Sequence, residues 1–124
     1  MMTSTILIAL AGLMGAAGIA LAAAGAHAAP GAGLESAAYM LLFHAAAVVG
    51  GTALMRQGGL LWQPLALLAV AAWIVGAALF SGDIASRAFA GHRLFPFAAP
   101  AGGLILIAAW LALSVAAVAS ALSR

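Results

Sequence analysis

The chain has no cysteine and no lysine, and its charged residues make up only 5% of the total. Without cysteine there is no disulfide, no thiolate nucleophile and no thiolate metal site. A soluble domain carries about 25% charged residues, so this chain cannot cover a surface that faces water. The arginines stand alone at Arg56, Arg87, Arg93 and Arg124, and the only acids are Glu35 and Asp83, which gives a net charge of +2. Such scattered charge forms no basic stripe, and nucleic acid is excluded as a partner.

What is present is hydrocarbon. Of 124 residues, 68% are hydrophobic, and the mean hydropathy is +1.27. A membrane-spanning helix needs about 20 apolar residues, so four spans use up nearly the whole chain. The apolar runs fall at about 5–26, 35–55, 62–82 and 100–121, divided by polar or breaker stretches such as Ala29-Pro30-Gly31 and Arg56-Gln57-Gly58-Gly59. The reading is all-α: one integral membrane domain over 1–124, an antiparallel four-helix bundle in contact with the lipid bilayer. Open sheets and lipid-exposed loops are not tolerated in hydrocarbon. Ala26-His27-Ala28 resembles a signal-peptide cleavage site, but no basic residue precedes the run and it exceeds the usual apolar length, which favours a retained helix.

Antiparallel order puts the first and third connections on one membrane face. The termini and the second connection lie on the other. Arginines divide evenly between the faces, so the positive-inside rule decides little. Engagement of Arg87 and Arg93 near Asp83 tilts the reading towards cytoplasmic termini in a cell inner membrane.

Gly12, Gly15, Gly18, Ala22 and Gly25 recur at spacings of three and four along the first span. Small residues let helices approach closely where van der Waals contact drives packing. The stripe suits a neighbouring span of the same chain, with a homo-oligomer seam as the alternative; other membrane proteins are further candidate partners of the chain. Trp62 fits an interfacial anchor. Trp110 lies mid-span and needs a partner for its indole N–H, with Ser114 one turn away.

The polar residues gather towards the first and third connections. His27, Glu35, Tyr39, His44, Asp83, Arg87 and His92 form the candidate cluster, with Arg93 beside it. His44 is nine residues past Glu35, hence about 13 Å deeper along a helix. A polar group at that depth faces the bundle interior and is a default candidate for function; the structural alternative is a hydrogen bond that locks two helices. Burial without a charge partner favours a neutral ring. The expected partners are Asp83, Tyr39 or a carbonyl beside the glycines of the first span. Asp83 and Arg87 suit an ion pair four residues apart, provided the helix continues past Gly82.

The histidines and acids are chemically adequate metal ligands, but no H-E-x-x-H, H-x-H or i, i+4 histidine pair occurs. No G-x-S-x-G elbow and no phosphate-binding G-x-x-x-x-G-K-[ST] loop is present. The expectation is a protein with no catalytic residues, no metal and no cofactor.

Gly25-Ala26-His27, Phe43-His44, Leu79-Phe80-Ser81-Gly82-Asp83 and Ala99-Pro100-Ala101-Gly102-Gly103 occur in that order. Together they resemble the bacterial YgdD-like family catalogued as domain of unknown function 423, which includes the transmembrane protein 256 group. The likeness extends over roughly residues 6 to 120. It implies a small four-span inner-membrane protein and no known enzymatic activity. Ala24 departs from the bulkier residue that many relatives carry there, and Tyr39 stands five residues before His44 where four is also common. Two functions follow as expectations: a non-enzymatic protein supporting membrane integrity or the assembly of membrane complexes, or a small oligomeric transporter or channel, proton-linked through His44 and Asp83.

Overall fold

Four helices make up the chain, and the computed structural model describes all of residues 1–124. They are α1 (Met2–His27), α2 (Leu34–Gln57), α3 (Gln63–Ala90) and α4 (Ala98–Leu122). Each is long and apolar enough to cross a membrane. There is no strand, which leaves a multi-pass helical membrane protein.

Local chemistry sets where the helices stop. Pro30 follows the end of α1, and Gly31 and Gly33 then turn the chain with φ of 82° and 78°. Pro64 occupies the first turn of α3, where its missing N–H costs no helical bond. Past the apolar run expected to end near residue 82 the helix continues: α3 runs on to Ala90 and stops at Gly91, whose φ is 78°. Ser81 and Asp83 do not break the helix because both side chains find partners away from it. Ser81 Oγ donates to the Ala37 carbonyl at 2.8 Å, and the Asp83 carboxylate accepts the Leu94 backbone N–H at 2.9 Å. At 28 residues, α3 is about 42 Å long, more than a hydrocarbon slab of about 30 Å requires.

Packing follows chain order. Helix α1 lies on α2, α2 on α3 and α3 on α4, while α1 touches α3 only marginally. No Cα of α1 comes within 8 Å of one in α4, and the same holds for α2 and α4. Leu7 and Met14 of α1, Leu41 and Val48 of α2, Val70 and Trp73 of α3, and Leu106 of α4 belong to one buried cluster.

Helices α3 and α4 approach closely at Gly76 and Gly102. A Cβ on Gly102 would stand 2.6 Å from the Phe80 nitrogen and 2.7 Å from the Gly76 carbonyl oxygen. Only glycine lets the two backbones meet there. The glycine stripe of α1 divides in two. Gly18 and Gly25 pack on α2, against Leu42 and Leu34, whereas a Cβ on Gly12 or Gly15 would meet nothing within 4 Å.

Candidate functional site

His44 sits mid-way along α2 with only 6% of its surface exposed. Its Nδ1 lies 2.8 Å from the Met40 carbonyl oxygen, one turn back on the same helix. On the other side of the ring, Trp110 Nε1 of α4 donates to Nε2 at 3.1 Å. An indole N–H is a donor only, so Nε2 must be the unprotonated acceptor. The ring proton is then on Nδ1 and is donated to Met40. Both ring nitrogens of His44 are thus engaged. Trp110 in turn packs on Trp73, with ring centroids 4.4 Å apart and planes inclined by 47°. This contact joins α2 to α4, whose backbones otherwise stay apart.

The expected partners of His44 are corrected here. Asp83, Tyr39 and the carbonyls of α1 do not reach it, and α2 itself supplies one bond through Met40. The indole of Trp110 is likewise not served by Ser114, whose hydroxyl donates instead to the Trp110 carbonyl at 3.3 Å. Deeper in the same interior, Trp73 Nε1 and Thr52 Oγ1 are buried with no hydrogen-bond partner.

A second group lies at the mouth formed by α3 and the third connection. Asp83 is fully buried. Its Oδ1 accepts from Leu94, and its Oδ2 is 3.7 Å from Arg87 Nε, an ion pair without a hydrogen bond. Continuation of α3 past Gly82 brings this pair into reach, as the spacing predicted. Ser86 Oγ donates to the His92 carbonyl at 2.7 Å, so two side chains of α3 hold the 91–97 connection in place. His92 and Arg93 are exposed beside it.

The third group lies on α2. Tyr39 donates its phenolic hydrogen to Glu35 Oε1 at 2.9 Å, and its ring stacks on Phe43 with centroids 5.8 Å apart. All three residues are exposed, as is His27 in the last turn of α1. The cluster expected from sequence is therefore three separate arrangements: His44 with Trp110, Asp83 with Arg87 and Leu94, and Glu35 with Tyr39. Nowhere are three or more histidines and acids placed to hold a metal ion. Trp110 and Trp73 complete the first of these arrangements and lie outside the sequence-based site. The one available signal was a tryptophan in mid-span that needed a polar partner.

A family model described as "Protein of unknown function (DUF423)" matches residues 21–103, more than half of the chain. No curated protein and no solved structure matches it.

Proposed function

The chain belongs to the DUF423 family of unknown function, and we propose that it is a non-enzymatic membrane protein that supports bilayer integrity or the assembly of other membrane proteins. An inner-membrane location with cytoplasmic termini is part of this proposal. The observation that carries it is the engagement of His44. Intramembrane histidines serve proton relays when a ring nitrogen is free to exchange. Here one nitrogen faces a backbone carbonyl and the other an indole N–H, so the ring's chemistry is used in joining helices. Around it the interior is filled by Val48, Val70, Trp73, Ala77 and Leu106, which supports a dry bundle.

Purification of the full chain from native membranes, with mass spectrometry of co-purifying proteins and lipids, tests the proposal. Recovery of a defined set of membrane proteins or lipids, lost when the bundle is unfolded, is the expected result. A chain that purifies with neither contradicts it.

One observation favours a second reading, an oligomeric proton-linked transporter. Asp83 Oδ2 is buried without a hydrogen-bond partner, its one contact the 3.7 Å ion pair with Arg87, and buried acids within membranes mark proton paths. Proteoliposomes that dissipate an imposed proton gradient, and lose that activity in Asp83→Asn, would favour it over the first.

A further inference from the structure

A cavity of about 570 Å³ opens between the end of α1 and the start of α2, lined among others by Ala22, Gly25, Ala26, Glu35 and Tyr39. We propose that it receives the ammonium headgroup of a membrane lipid, held by the Glu35 carboxylate, with the lipid's chain lying along Tyr39 and Phe43. This deepens the bilayer-supporting reading and rests on it by naming the lipid class.

Charge gives the first argument. The chain has only two acids, and Asp83 is buried and engaged with Leu94 and Arg87. Glu35 is therefore the sole exposed side-chain carboxylate. Its Oε1 accepts the Tyr39 hydroxyl, which fixes the group's orientation. No arginine or histidine lies within 4.0 Å of it, since the one such pair in the chain is Asp83–Arg87. A fixed, uncompensated carboxylate at the lip of a cavity selects a cation.

Shape gives the second. Glu35, Tyr39 and Phe43 are spaced four apart, so they share one face of α2. Tyr39 and Phe43 are 48% and 65% exposed. Glu35 to Phe43 spans about 12 Å along the helix, running from the connection towards the bilayer centre. The ladder is thus anionic at its outer end, aromatic and polar in the middle, and purely apolar below. A molecule matching it is cationic at one end and hydrocarbon at the other. The Tyr39 ring offers a further face to an ammonium group through cation–π attraction.

A zwitterionic headgroup also carries a phosphate. The first backbone N–H groups of α2 have no intrahelical acceptor, and Gly33 caps the helix with no side chain. Leu34 of this first turn is only 1% exposed, so the group this turn offers to a headgroup is the Glu35 carboxylate, and the lipid phosphate stays in the water-facing interface. Soluble amines share the ammonium chemistry but make no use of the apolar half of the ladder, so the occupant is a lipid.

Native mass spectrometry of the full chain in detergent, given equal amounts of phosphatidylethanolamine and phosphatidylglycerol with identical acyl chains, tests this. The ethanolamine lipid should be retained in roughly three- to fivefold excess, the ratio expected of a partly exposed ion pair. Glu35→Gln should abolish the excess while circular dichroism stays unchanged. Should that variant fail to fold, N-acetylated phosphatidylethanolamine answers the question on the unaltered protein, because it lacks the ammonium and should lose the advantage. Equal retention of the two lipids, preference for the glycerol lipid, or undiminished binding of the acetylated lipid overturns the proposal. Displacement of bound lipid by millimolar phosphoethanolamine would assign the pocket to a soluble amine and overturn the lipid assignment. Lipid retention is read without reference to co-purifying proteins, so its failure is distinguishable from failure of the assembly reading.

Discussion

Trp110 Nε1 donates to His44 Nε2 at 3.1 Å, across two helices whose Cα atoms nowhere come within 8 Å of each other. The bond reaches across the bundle because both side chains are long and Trp73 supports the Trp110 ring from α3. Removal of Trp110 leaves the buried His44 Nε2 without its bond, and removal of His44 leaves the N–H of the part-exposed Trp110 among apolar groups.

His44→Leu and Trp110→Phe should each lower stability by about 1–3 kcal/mol, the cost of an orphaned buried polar group. The double variant should cost less than the sum of the two. Unfolding of all four proteins in detergent measures the coupling directly. Strict additivity would show that the two side chains do not interact.

At the mouth, Asp83→Ala should be the most damaging change, since it strips the acceptor from the Leu94 N–H and leaves a void. Asp83→Asn should cost less because its side-chain oxygen still accepts that bond. Arg87→Gln should cost about 0–1 kcal/mol, because the Arg87 side chain is 43% exposed and its contact is 3.7 Å long. Thermal unfolding in detergent gives the order, and an Arg87→Gln effect equal to that of Asp83→Ala would contradict it.

Gly102→Ala should force α3 and α4 apart, because its Cβ would collide with backbone atoms of Phe80 and Gly76 that cannot rotate away. Overpacking of this kind costs about 1–3 kcal/mol or more. Gly12→Ala is the matched control: its Cβ meets nothing within 4 Å, and the change should leave stability unaltered or raise it by up to about 1 kcal/mol through helix propensity. Comparable losses in the two variants would refute this packing.

The cysteine-free background makes topology directly measurable. Cysteines introduced at Ala32 and Arg93 should react with an impermeant thiol reagent from one face of the membrane. A cysteine at Leu60 should react only from the other. Labelling of positions 32 and 93 from opposite faces would rule out the four-span arrangement.

Hydropathy alone located the four helices, because a run of about 20 apolar residues has few other fates. Helix α3 extends past its apolar run to Ala90 for a physical reason. Ser81-Gly82-Asp83 looks like a helix terminus when its polar groups are assumed to seek water, and here they bond to Ala37 and Leu94 instead. His44 was recognisable as important from its depth, and the Asp83–Arg87 contact from its spacing along one helix. Trp110 as the partner of His44 was not, since the two are 66 positions apart and no local pattern sets the register between α2 and α4. The same applies to Gly76 and Gly102, whose contact depends on how two helices cross.

Neighbours in sequence are also neighbours in space throughout this bundle, and that has a bearing on its biosynthesis. As each helix leaves the insertion machinery, the surface it packs on is already in the membrane. Contacts between consecutive elements carry little loop-closure penalty and favour rapid assembly. The His44–Trp110 bond skips a helix, for it waits until α4 has been made. A nascent chain that stalls after α3 therefore holds an imidazole nitrogen with no donor in its interior. Completion of α4 removes that defect, so α4 is the helix that satisfies the interior of the three made before it.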